Sequence, residues 1–468
     1  MPLPSSLTDA SDRDIVHHVA RAAAATSYAT LGKPARDAAR KSILDTLGVI
    51  LAAGGLEPAV RGAIAIVEEA GGAEQCHVLG MQRRVPAVMA AFAHGALAHC
   101  LDYDDQTPWG QHAASSVVPA VFALAERQGG VSGEEMIAAV AVGQDVFARL
   151  RCNVGWLKDW NLSTVFGVFA ATAAAGRVLN LPAEVIANAM GIASMQCAGI
   201  MQMVCGTGSD LRGLYAGFSA KGAVLATMMA QQGISGIDDL FEGQYGVFAS
   251  YFGGRYDRDA ILDGLGREHL GAGTLYKRWP AVGTAHSHMK AAIDIVTAHD
   301  LHVDDIAGVR LAVGDYHDLM CQPLSVRQAP ATLVDAKFSL PFLVAVAIVR
   351  RGMSIADFTQ AGLRDPAVLA VASRMTLDPD PTLDWTLDLP PGRVTIVVRD
   401  GRHFTATGLR VPGGADNPMD WSDLSAKFAE CGAVAIRPPD ASRIAAAQAM
   451  ARSLEREADA TALLRLLA

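Results

Sequence analysis

The feature that most constrains this chain is a change of hydrophobic period near Gly271. Before it, from Asp12 to about Leu270, apolar residues recur at helical spacing. Ile15, Val19 and Ala22 share one helix face, and Ala38 to Leu51 continues the pattern until Gly54-Gly55 is expected to end it. Ser132 and Glu135 form a capping-box pattern at the start of a helix that should run to about Leu150. Ala170 to Leu179 is almost all small residues and stops at Asn180 and Pro182, and Ala216 to Gln232 stops at Gly233.

After Gly271 the pattern mixes. Val309 to Val313 alternates, and Val394 to Val398 runs into Asp400-Gly401, a strand entering a hairpin. Between them Ala336 to Arg351 has helical spacing and meets Gly352. Beyond Pro412 helical spacing returns, from Ser422 to Phe428 and from Ala441 to the end. A chain of 468 residues exceeds what one core usually supports. The expected architecture is therefore mainly α: a discontinuous helical domain (1–270 and 411–468) with an inserted α+β lid domain (271–410).

The chain is 51% hydrophobic, yet its longest apolar runs, such as Leu340 to Val349, fall short of the roughly 18 residues of a spanning helix. No membrane association is expected. A net charge of -9 argues against nucleic acid as a partner. Seven dispersed cysteines without a CxxC pair give neither a disulfide framework nor a zinc knuckle. Met1 to Asp14 carries no secretory signal pattern, so the expected location is cytoplasmic.

Chemistry concentrates between His99 and His112, where Asp102, Asp104 and Asp105 crowd a segment flanked by alanine-rich apolar sequence. Pro108, Trp109 and Gly110 make this a loop that can fold Asp102 toward His112, and a carboxylate beside an imidazole suits proton transfer. The alternative is that the aspartates cap and solvate the loop. No metal site is expected: His94 and His99 are badly spaced for one helix face, and neither HExxH nor HxH occurs. Gly206-Thr207-Gly208 and Gly264-Leu265-Gly266 follow no strand, and GxxxxGK[ST] and GxSxG are absent, which disfavours nucleotide binding and a serine hydrolase.

Among the cations, Arg212 stands just before a helix, where a guanidinium and free amides can grip a carboxylate. Lys277 sits at the expected domain junction, as a charge clamp, an acid/base group or a linker residue, with His286 and His288 shortly after.

In order, these segments resemble the MmgE/PrpD family, which includes 2-methylcitrate dehydratase, cis-aconitate decarboxylase and iminodisuccinate epimerase. The resemblance rests on Ala98 to Asp105 with His112 and Val118-Pro119-Ala120, Ala216-Gly217 with Gly222, and Phe241-Glu242-Gly243. It continues through Tyr276 to Pro280 with Thr284-Ala285-His286, Asp335 to Phe342, and Asn417-Pro418-Met419. The resemblance implies a homodimer with a cofactor-free cleft for small di- and tricarboxylates. It implies Asp102 and His112 as catalytic residues and Lys277 as the lid lysine, with Gln106, Asn161, Arg212 and His286 around the substrate. It also marks departures: Asn161 and Val282 replace family histidines, Arg212 a lysine, and Gln106 the decarboxylase threonine.

The expected enzyme is a lyase in which His112, supported by Asp102, moves a proton beside a carboxylate, most simply for dehydration. Epimerisation of an iminodisuccinate-like substrate is the alternative, with Lys277 as second proton carrier. A non-catalytic carboxylate-binding protein is the third reading.

Overall fold

The computed structural model describes residues 13–468. Residues 1–12, which carry most of the segment behind the expected location, lie outside the described ones. The first part is helical: α1 (Ile15–Ala25), α2 (Lys33–Leu56), α3 (Ala59–Ala70), α4 (Ala87–His99), α5 (Ala114–Arg127) and α6 (Gly133–Cys152). It continues with α7 (Leu162–Val165), α8 (Gly167–Val178), α9 (Ala183–Ala193), α10 (Gln202–Cys205) and α11 (Leu211–Gln231). One apolar core joins these helices to the C-terminal segment, with Phe428, Cys431, Leu454 and Leu463 packed among them. A second core lies in the intervening α+β part, from Trp279 to Val398, and takes in Met201, just before α10, and Val204 within it. The protein is thus a discontinuous helical body with an α+β insert, and among the described residues no single helix is long and apolar enough to cross a membrane.

The insert carries a four-stranded mixed sheet in the order β2-β1-β3-β4. The strands are β1 (Ile306–Val313), β2 (Met375–Pro379), β3 (Arg393–Val398) and β4 (His403–Thr407). β1 pairs parallel with β2 and antiparallel with β3, and β3 turns into β4 through the Asp400-Gly401 hairpin. β2 escapes a sequence reading because only Met375 of its five residues is buried and Asp378-Pro379 reads as loop.

Several boundaries differ from expectation for visible reasons. α2 runs through Gly54-Gly55, because Gly55 is a close-packing position: a Cβ there would lie 1.9 Å from the Val434 carbonyl. The helix expected over Ala336 to Arg351 is two, Leu333–Lys337 and Leu340–Arg350, divided where the Ser339 side chain caps Phe342 N at 3.2 Å. Ser132 Oγ does cap Glu135 N at 3.2 Å, but the Glu135 carboxylate turns to Arg177 at 2.6 Å and leaves the box half made. The last helix breaks after Arg452 and resumes at Ala462–Leu467.

α4 and α11 approach closely through glycine. A Cβ on Gly95 would lie 2.8 Å from the Ala216 carbonyl, and one on Gly217 would lie 2.5 Å from that of Phe92. This contact sets His99, the last residue of α4, beside Tyr215 on α11, with ring centroids 4.1 Å apart.

Candidate active site

The loop leaving α4 begins with a tight turn in which Asp102 adopts φ +48°, and Asp102 N donates to His99 O at 2.7 Å. Aspartate tolerates the left-handed region better than most residues, but the position is strained, and such strain clusters at functional sites. Lys277 holds the turn by donating to Asp102 O at 3.0 Å and pairing with Asp102 Oδ1. Gln106 forms a two-way backbone bridge with Leu275 (2.9 and 2.8 Å), and His112 N donates to Ser163 Oγ at 3.1 Å.

These fixings open a cavity of about 520 Å³ between the helical body and the insert. Asp102, Gln106, His112, Asn161 and Arg212 line it from the body; Val282, Thr284, Tyr316, Phe338 and Trp385 line it from the insert. Five of the seven site residues expected from sequence therefore converge. Lys277 and His286 instead line a second cavity of about 1030 Å³, which meets the first at Gln106, Gly283 and Leu389. The Lys277 ammonium faces Asp102, and His286 Nε2–H donates to Ala281 O at 3.1 Å. Burial, aided by Lys277, pushes His286 down to about 3.

The carboxylate that orients His112 is Asp104 rather than Asp102. His112 Nδ1 donates to Asp105 O at 2.5 Å and lies 3.2 Å from Asp104 Oδ2, while His112 Nε2 lies 3.5 Å from Asp102 Oδ1. Asp104 also accepts from His99 Nδ1, at 3.0 and 3.1 Å. One buried carboxylate thus holds two imidazoles whose rings lie 4.7 Å apart. Asp102 Oδ2 is buried and has no hydrogen-bond partner. The donor atoms of His99, Asp102, Asp104 and His112 lie within 4.8 Å of one another, a spacing that can hold a cation. Here that closeness is accounted for by their bonds to one another and to Lys277.

The electrostatics separate these groups. Burial would raise Asp104, but His112 and His99 hold it well below the usual carboxylate range. Burial would likewise raise Asp102, and Lys277, His112 and His99 reverse it. Burial would lower His112, yet Asp104 and then Asp102 raise it above its ordinary value. For His99 burial wins over Asp104, and its value is lowered. Asp105, buried behind the loop beside Asp104, is pushed up to about 7. Its carboxyl meets Ala114 N at 3.2 Å and Ser42 Oγ at 3.3 Å.

Arg212 lies in the first turn of α11 rather than before it, buried, donating to Val204 O and lying over the Phe338 ring. Among the described residues no carboxylate forms an ion pair with it, and burial lowers it to about 10, still charged at neutral pH. A buried guanidinium without a protein counter-ion carries a desolvation cost that no carboxylate of the described residues offsets. Asn161 caps α7, its Oδ1 accepting from Ser163 N at 2.8 Å, which leaves its amide as a donor. Sequence reasoning passed over Tyr215 and Trp385, since no motif marks them, and named Tyr316 only as one tyrosine that could take the missing proton-carrier role; it saw His99 and Asp104 but assigned them to shaping the loop.

Residues 17–259 match the MmgE/PrpD N-terminal domain and residues 279–452 the MmgE/PrpD C-terminal domain. The chain is similar to a cis-aconitate decarboxylase of Aspergillus terreus (strain NIH 2624 / FGSC A1156), 26% identical over 417 residues, covering 84% of this chain and 83% of the relative. It is also similar to the human cis-aconitate decarboxylase, 24% identical over 359 residues, covering 74% and 72%.

Proposed function

Since this chain belongs to the MmgE/PrpD family, we propose that it is a lyase that transfers protons beside a carboxylate of a small di- or tricarboxylate and expels a β-hydroxyl as water. The observation that carries this reading is that one cavity holds both Arg212, a guanidinium without a protein counter-ion, and His112, whose imidazole Asp104 raises above its ordinary value. Arg212 takes a substrate carboxylate, and the Asn161 and Gln106 amides add donors. The proton on the adjacent carbon goes to a base, its bonding pair becomes the double bond, and the hydroxyl leaves with the His112 Nε2 proton. Arg212 offsets the enolate-like charge that develops. Lys277 acts by holding Asp102 in its strained turn.

Decarboxylation is the second reading, favoured by relatives that carry that activity in their names. There the carbon–carbon bond to the departing CO2 breaks, and His112 protonates the carbon. A panel of hydroxy, imino and unsaturated polycarboxylates in D2O separates the outcomes. Alkene formation marks dehydration, CO2 release decarboxylation, and deuterium uptake without either marks epimerisation. His112→Asn is expected to lower turnover at least 100-fold, and EDTA is expected to leave it unchanged. An unaltered rate in His112→Asn sinks the reading, and calorimetric binding without turnover across the panel revives the carboxylate-binding protein.

The proposal includes a homodimer. Leu211, Phe218 and Leu225 recur every seven residues along α11, each at least 39% exposed, with Met195 and Tyr245 also exposed. Such a stripe suits a second copy of the chain. Sedimentation velocity is expected to give a dimer that Phe218→Glu dissociates; a wild-type monomer at micromolar concentration discards this part.

A further inference from the structure

The dehydration and epimerisation readings both need two proton carriers, and His112 is one. Lys277, the candidate offered by sequence, has its ammonium on Asp102 and does not line the cavity. Resting on the lyase reading above, we infer that His99 is the second carrier: the imidazole that takes the proton from the substrate carbon while His112 supplies one to the departing group.

The geometry is that of a matched pair. His99 and His112 both line the cavity, their rings 4.7 Å apart, and both direct Nδ1 to Asp104. With the His99 Nδ1–H on that carboxylate, and the His112 Nδ1–H on the Asp105 carbonyl beside it, each Nε2 is the nitrogen left for substrate. Tyr215 packs against the His99 ring, with centroids 4.1 Å apart and planes tilted by 39°, and confines it. The groups facing His99 are Asp104 and Asp102 from the loop, His112, and Tyr215 from α11. They divide the labour, since burial lowers His99 while Asp104 raises its neighbour His112. Two titratable groups pushed apart in this way are an acid and a base. The proton lost by the carbon ends on His99 Nε2, the pair forms the double bond, and the His112 proton leaves with the hydroxyl. Return of the His99 proton to solvent and reprotonation of His112 close the cycle.

The main rival base is Asp102, through its unpartnered Oδ2. His99→Asn discriminates, because asparagine can keep the donor to Asp104 while removing the basic nitrogen. Three readouts are taken on the full chain: turnover against pH, exchange of the substrate carbon-bound hydrogen in D2O, and ¹⁵N NMR of the histidines. In His99→Asn, turnover and exchange are both expected to fall at least 100-fold. The acidic limb of the kcat/KM profile should vanish and the His112 titration should persist. In His112→Asn, exchange should outlast turnover. In the wild type, the NMR should show His99 as the Nδ1–H tautomer, titrating below His112. Wild-type exchange in His99→Asn, or a His99 that titrates above His112, overturns the inference while the lyase reading stands. A wild type with neither exchange nor turnover across the panel overturns both. A loss of turnover in His99→Asn with the acidic limb intact shows His99 to be structural and also overturns it.

Discussion

Two cations lie at the seam between the helical body and the insert, and they are buried in opposite ways. Lys337, on the insert, is fully enclosed, with Glu57 of the body at 2.6 Å and the Cys100 carbonyl at 3.0 Å. Arg212, on the body, lies over Phe338, the residue next to Lys337, and forms no ion pair with a carboxylate among the described residues. Both have lost their hydration, but Lys337 has recovered a counter-ion from the protein. A buried cation paired across a seam is a fastener; the one left unpaired on a cavity wall is the one assigned, in the function proposed above, to an anion that arrives from outside.

Removing the fastener should have the largest effect. Lys337→Met leaves the Glu57 carboxylate buried and unpaired and is expected to lower stability by about 3–5 kcal/mol in urea unfolding. Adding Glu57→Leu should restore most of it. If Lys337→Met is as stable as the wild type, the contrast with Arg212 is empty. Arg212→Gln should lower kcat/KM by about 1.5–3 kcal/mol, mainly through KM, and change stability by less than about 1 kcal/mol. An Arg212 variant that unfolds early yet binds substrate normally would place it among the fasteners. The smallest effect concerns Asp105, on the sealed side of the loop. Its folded value near 7 lies above the ordinary carboxylate range. The stability from its retained proton is therefore complete below about pH 4 and is lost as pH rises through 7. Asp105→Asn should remove a slope of about 1 kcal/mol between pH 5 and pH 6. Parallel pH–stability curves for variant and wild type would show that Asp105 ionises freely.

The same contrast explains what could be read from sequence. Periodicity locates the helical body, the change near Gly271, the strands β1 and β3 and the hairpin turn that leads to β4, since these follow from which faces are buried. The loop composition brings Asp102 to His112, and Arg212, Asn161 and Gln106 do reach the cavity. What the pattern does not carry is how a charge is partnered. Lys277 and His286 look like site residues, yet one faces Asp102 and the other its own backbone. His99 looks like the end of a helix, yet the strained turn at Asp102 returns Asp104 beneath it. Such pairings depend on a single backbone angle and on residues distant in sequence, and no spacing rule encodes them.

The glycine contact between α4 and α11 gives the site an unexpected control point. Gly95 and Gly217 touch no part of the cavity, yet they set how near the end of α4 stands to the start of α11, and hence the gap spanned by His99, Tyr215 and Arg212. A single methyl at either glycine would act as a shim, widening that gap while every lining residue kept its identity. Substrate size in this scaffold is therefore adjustable from behind the wall, and two chains with identical pocket residues need not accept the same molecule.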